Sequence, residues 1–183
     1  MSDLRLPEGV ELHELTAHVD ERGVFTELFR EEWGSAAEPV QWNAVRSNAG
    51  VLRGVHVHLV HDDYLTVVHG RMTLGLCDLR PGSSTYREAL TLDLDAAAPK
   101  AVAIPHGVAH GFYFEADSMH VYAVSHYWNL DDELGCRWDD PALKIPWTHK
   151  EAHISQRDAD LQSLDQLIEE LSAHYDSEPS VST

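Results

Sequence analysis

Four side chains in this sequence have the types and the spacing to bind a metal or move protons: His56, His58, Asp63 and His110. The first three lie in the run Gly54-Val55-His56-Val57-His58-Leu59-Val60-His61-Asp62-Asp63. In a strand, residues two apart face the same side, so both imidazoles point into one space. Asp63 has the wrong parity for the same continuous strand. A turn at His61-Asp62 would start a new strand near Asp63, and pairing of the two strands would bring it beside His58. His110 follows the turn Pro105-His106-Gly107 and opens a later strand. Three imidazoles and one carboxylate suit a divalent transition metal, Fe, Mn, Ni, Co or Zn, with positions left open for substrate or water. Taken singly, each is also an ordinary polar residue at a strand end.

The elements that must position them are short and β-rich. The segments 23–29, 40–48, 51–60, 64–70, 72–80, 89–94, 100–105, 110–116 and 120–128 read as strands. Alternation is clearest in MTLGLCDL and ALTLDL, and breaks fall at Pro39, Asn48-Ala49-Gly50, Gly70 and Pro81-Gly82. Many short strands without intervening helices predict an all-β sandwich or barrel. One helix is expected over 158–174, where Leu164, Leu167, Ile168 and Leu171 recur at helical spacing, with Asp158 or Ser163 as its cap. Residues 1–175 read as one domain and 176–183 as a disordered tail.

Composition narrows the function classes. The chain has 183 residues and a formal net charge of −18, from 13 Lys and Arg against 31 Asp and Glu. Such a surface repels nucleic acid and anionic membranes. No apolar run is long enough to span a bilayer, and the first residues lack the pattern of a secretory signal. Cys77 and Cys136 have no metal or redox spacing. A cytoplasmic protein is the expectation.

The histidine spacing resembles the signature of metal-binding cupins: H-x-H, four residues, an acidic residue, six residues and glycine, then P-x-G-x-x-H. Here these are His56, His58, Asp63 and Gly70, then Pro105, Gly107 and His110. A longer resemblance, over roughly residues 5–160, is to the dTDP-4-dehydrorhamnose 3,5-epimerase family. It rests on Asp20-Glu21-Arg22-Gly23-Val24-Phe25 with Glu27, Gln41-Trp42-Asn43, GVLRGVHV (50–57), VVHGRMTLGLCDLRPGSSTY (67–86), IPHGVAHGFYF (104–114) and ELGCRWDDPALKIPW (133–147).

That resemblance implies a homodimeric cupin, a jelly-roll β-barrel with a C-terminal helix here. It implies action on a nucleotide-diphosphate sugar, a dTDP-4-keto-6-deoxysugar. The ketone acidifies the neighbouring C–H, so proton transfer suffices and neither nicotinamide nor flavin is needed. By family correspondence the base is His56 and its orienting carboxylate Asp140. Arg22 and Arg53 correspond to diphosphate-binding arginines, Glu27 to a residue reaching the base from the partner subunit, and Gln41, Asn43 and His110 to pocket positions. Two positions depart. The family's enolate-stabilising lysine falls on Asp63, and its proton-donating tyrosine on Trp128, whose indole has no acid–base chemistry at neutral pH. His58 is an added imidazole. Three readings follow: an epimerase acting at one carbon (a 3-epimerase), a metal-dependent oxygenase, isomerase, lyase or dehydratase on the same scaffold, and a non-catalytic sugar-nucleotide binder.

Overall fold

Alternating apolar residues build two antiparallel sheets that face each other. The computed structural model describes residues 5–35, 37–129 and 132–177. In chain order, its strands are β1 (Glu11–Glu14), β2 (Ala17–Asp20), β3 (Gly23–Thr26), β4 (Gln41–Ser47), β5 (Leu52–His58), β6 (Asp63–His69), β7 (Arg71–Asp78), β8 (Ala89–Asp95), β9 (Lys100–Ile104), β10 (Val108–Phe114), β11 (Ser118–Val124) and β12 (Glu133–Gly135), and its helices are α1 (Gln156–Ala159) and α2 (Leu164–Ser177). One sheet runs β1-β9-β6-β11-β4, the other β12-β5-β10-β7-β8, and β2-β3 forms a separate hairpin. This is the cupin-type jelly roll expected from the sequence.

Strand period two explains the layers. Leu65 and Val67 of β6, Leu74 and Leu76 of β7, Val102 and Ile104 of β9 and Phe114 of β10 meet between the sheets as one buried cluster. The intervening residues face outward but are buried too. Val55, Val57, Cys77 and Ala109 pack under Leu143, Ile145 and the Leu164-Leu167-Leu171 stripe of α2. Tyr64, Ala101, Ala103 and Ala123 pack under Leu15 and Ala37. Covered on both faces, most strands lose the polar alternation of a half-exposed sheet.

Five expectations about the elements are corrected. β5 and β6 do not pair: they lie in different sheets, so Asp63 faces His58 across the barrel. The expected helix is two. The chain between α1 and α2 leaves helical geometry, and Ser163 starts α2, its Oγ accepting weakly from the Gln166 N–H at 3.4 Å. Its last turn takes in residues 176 and 177, assigned from sequence to the tail; 178–183 lie outside the described residues. β1, β2 and β12 are short strands that sequence patterning did not mark, and β11 ends at Val124, before Tyr127 and Trp128.

Candidate active site

At one end of the barrel the inter-sheet core gives way to a cavity of about 450 Å³, lined by residues of both sheets, of α1 and of the segment before it. Its walls include Arg53, His56, His58, His61, Asp63, His110, His120, Tyr122, Trp128, Glu133 and Asp158. A cleft of this size with converging titratable groups has the form of a small-molecule site.

His56 stands on β5, opposite His110 of β10 and Gly135 of β12. Its Nε2 donates to Asp158 Oδ1 at 2.8 Å, and its Nδ1 lies 3.1 Å from Glu133 Oε1. Both ring nitrogens therefore face carboxylates, which favours the imidazolium form. Burial pushes the His56 pKa down, but the bonds to Asp158 and Glu133 outweigh it and raise it to about 9. Burial likewise opposes ionisation of Glu133, yet His56 and Arg157 hold its pKa at about 2. Arg157 Nη1 sits 2.9 Å from Glu133 Oε2. Asp158 is placed by the short turn of α1, where Ser155 Oγ accepts its backbone N–H at 3.0 Å.

Asp140, expected beside His56, is elsewhere. Its Oδ2 accepts the Leu164 N–H and its Oδ1 the Ala142 N–H, each at 2.9 Å, so it caps α2 and the turn before it. Asp158 occupies the place beside the imidazole. Sequence reasoning passed over it because it was read as a helix cap. The Ser155-x-x-Asp158 spacing was a signal for a local turn, not for a contact 102 positions away.

A second group lies deeper. Asp63 opens β6, and its Oδ2 is 3.5 Å from His58 Nε2, 3.6 Å from His110 Nε2 and 3.9 Å from His61 Nε2. His58, Asp63 and His110 offer ligand atoms close enough for one metal ion. Burial drives Asp63 well above the usual carboxylate range, reinforced by the charges of Asp62 and Glu133. It also drives His58 down to about 2 and His110 to about 4, so both rings are neutral at pH 7. His56, expected among these ligands, is engaged by its two carboxylates instead. His61, missing from the expected set, was read as a turn residue; it is 1% exposed and its ring stacks on His58, centroids 3.9 Å apart.

The remaining expected contacts divide. Arg53 lines the cavity, its Nε donating to Ser47 Oγ at 3.0 Å. Trp128 lines it too, with its backbone N–H on Gln41 Oε1, while Gln41 Nε2 donates to Asn43 Oδ1 at 2.9 Å. Arg22 lies on the exposed β2-β3 hairpin, paired to Asp20, and Glu27 pairs with Arg30. Neither lines the cavity of its own chain. The family's tyrosine position holds an indole, and neighbouring Tyr127 is 78% exposed. Tyr122 of β11 is the phenol that lines the cavity among the described residues.

The chain is similar to known proteins over most of its length. The family model for dTDP-4-dehydrorhamnose 3,5-epimerase matches residues 4–166. The dTDP-4-dehydrorhamnose 3,5-epimerase of Pseudomonas aeruginosa is 34% identical over 167 residues, covering 85% of this chain and 90% of that one. NovW, a 4-keto-6-deoxy sugar epimerase of the novobiocin gene cluster of Streptomyces spheroides, superposes with TM-score 0.82 at 31% identity, covering 90% of this chain and 87% of that one. ChmJ, a 3'-monoepimerase of Streptomyces bikiniensis solved with dTDP-quinovose, gives TM-score 0.83 at 29% identity, covering 91% and 88%. With a match that spans most of its length, this chain belongs to the dTDP-4-dehydrorhamnose 3,5-epimerase family and is an enzyme of the carbohydrate-epimerase kind.

Proposed function

We propose that the protein acts on a 4-keto-6-deoxysugar carried on dTDP and inverts one carbon, C3, rather than two. The observation that carries this reading is His56, fixed between Asp158 and Glu133 on the wall of the cavity. Asp158 on Nε2 orients the ring, and once Nδ1 turns from Glu133 to the substrate the neutral ring can take the proton of the carbon made acidic by the adjacent ketone. Trp128 at the tyrosine position cannot return a proton to the opposite face. Tyr122, on the opposing sheet, supplies a phenol for one such transfer. Proton transfer alone balances this reaction, so nicotinamide and flavin have no part in it.

Arg53 at the cavity supplies a guanidinium for the diphosphate. Arg22 and Glu27 complete the site of a second copy in a homodimer, reached through the β2-β3 hairpin. Val19, Val24 and Phe25 of that hairpin are 75%, 67% and 64% exposed, an apolar surface suited to a partner. A cytoplasmic enzyme of deoxysugar biosynthesis fits this chemistry. The direct test is incubation with dTDP-4-keto-6-deoxyglucose in D₂O, followed by NMR. Deuterium entering at C3 and not C5, and lost with His56→Ala, supports the reading; bound substrate that exchanges at neither carbon overturns it.

One observation favours a second, metal-assisted reading on the same substrate. Asp63 Oδ2 and His58 Nδ1 are buried without a hydrogen-bond partner, and the donor set of imidazoles and carboxylate suits Fe, Mn, Ni, Co or Zn. His58, Asp63 and His110 would hold such an ion. Bound there, it would supply the electrophile for the sugar ketone that the family's lysine supplies elsewhere.

A further inference from the structure

We infer that His61 completes this metal site in place of His56, giving the set His58, His61, Asp63 and His110, with Asp132 orienting His61. The inference rests on the metal-assisted reading and names the ligands within it.

His110 Nδ1 donates to the Val108 carbonyl at 3.1 Å, which leaves its Nε2 as an acceptor. His61 Nδ1 lies 2.7 Å from Asp132 Oδ2, while Asp132 Oδ1 accepts the Leu59 and Val60 N–H groups at 2.8 and 3.1 Å. A carboxylate so engaged takes the proton of His61 Nδ1, and His61 Nε2 is left as an acceptor too. Both nitrogens lie near Asp63 Oδ2, at 3.6 and 3.9 Å, and His58 Nε2 stands at 3.5 Å. Imidazole nitrogens gathered around a buried carboxylate oxygen on the cavity wall suit a cation between them.

A proton does not fill that place. All three separations exceed the reach of an N–H···O or O–H···N bond, which ends at about 3.2 Å. A metal ion does. Ligand atoms bound at about 2.0–2.2 Å lie roughly 3.0–3.5 Å apart at octahedral or tetrahedral angles. Two of the three separations fall at the edge of that range. The third is longer: His61 now groups with His58 and Asp132, and joining the set takes a movement of its ring toward Asp63.

His56 is excluded by the same bookkeeping of nitrogens, since both of its own are bonded to carboxylates at 2.8 and 3.1 Å. Asp132 gives His61 the carboxylate–imidazole–metal arrangement that fixes a ligand's tautomer and strengthens its donor nitrogen. Metal and proton-transfer group are then separate residues in one cavity, and neither function costs the other a side chain.

The test is metal binding, not turnover. Protein purified without a histidine tag is stripped, titrated with Co²⁺, and followed by visible absorption and by elemental analysis. The expected result is one equivalent for the wild type and for His56→Ala, with the same Co²⁺ spectrum in both. Affinity falls at least tenfold in His61→Ala or His61→Gln, and about 10–100-fold in Asp132→Asn. Loss of Co²⁺ from His56→Ala, with His61→Gln unchanged, overturns this ligand set and leaves the metal-assisted reading standing. A wild type that takes up no Co²⁺ overturns both. The His56→Ala comparison stands even where a His61 variant fails to fold.

Discussion

The Nε2 of His56 lies 2.8 Å from Oδ1 of Asp158, joining β5 to the turn before the C-terminal helix. This bond adds a side-chain link between two segments that also meet in the parallel bridge of Val51 with His153. It also separates the carboxylate that serves the imidazole from Asp140, which serves a helix.

Asp158→Asn and Asp140→Ala should therefore fail in different ways. Asp158→Asn removes the charge that orients His56 and should lower kcat by about 10²–10⁴-fold, the usual span for a displaced acid–base group. Its melting temperature should fall as well, because the part-buried imidazolium loses a carboxylate partner. Asp140→Ala leaves the α2 N-terminus uncapped and should cost about 1–2 kcal/mol of stability, with kcat near wild type. Steady-state kinetics and thermal melts on both variants check this. Equal losses of kcat in the two would contradict the separation of roles.

Arg53→Ala should weaken dTDP binding by about 1–3 kcal/mol, the worth of hydrogen bonds to a charged phosphate. The net charge of −18 gives no general attraction for an anion, so the loss is local and measurable by calorimetry. An unchanged Kd would place the diphosphate away from β5.

Tyr122→Phe should keep substrate affinity and slow completed epimerisation at least tenfold, while His56-dependent exchange of the C3 proton with D₂O continues. The two rates are read from one NMR time course. Parallel loss of both would show that Tyr122 acts on binding or on His56 rather than as a second proton carrier.

Acid stability should report on Asp78 at the end of β7. This buried carboxylate accepts from Arg80 Nε at 2.9 Å and Thr85 Oγ1 at 2.7 Å. Burial alone would raise its pKa, but the bonds from Arg80, Ser83 and Thr85 pull it below the model-compound value of 3.8. A group with a depressed folded pKa stabilises fully above its unfolded pKa, and that contribution is lost as pH falls through the folded value. Wild type should thus lose stability below about pH 4, and Asp78→Asn should start lower and lose less over that window. Chemical denaturation from pH 7 to pH 3 tests the difference in slope.

Much of this was legible in the sequence. Short apolar, β-branched runs bounded by turns rich in Gly, Pro and Asn located nine strands, even where burial on both faces erased the alternation. The short edge strands β1 and β12 escaped, since four and three residues give too little pattern. His58, Asp63 and His110 were legible as a set from spacing alone. Asp158, Glu133 and His61 were not. Their roles depend on where a loop crosses the barrel mouth, and nothing local in Gln156–Ala159 or in the turn after β5 encodes that. The pairing of β5 with β6 was expected from adjacency in sequence, whereas the jelly roll sends these two strands, like most consecutive ones, to opposite sheets.

That last feature has a mechanical side. His58 and His110 stand on one sheet and Asp63 on the other, with only residues 59–62 between β5 and β6. The 3.5 Å from His58 to Asp63 is therefore a caliper reading of how far apart the sheets sit at that end of the barrel. The other end is set by Leu74, Phe114 and their neighbours in the inter-sheet core. Trimming either side chain would let the sheets settle, and polar groups that Leu74 and Phe114 never touch would register the change.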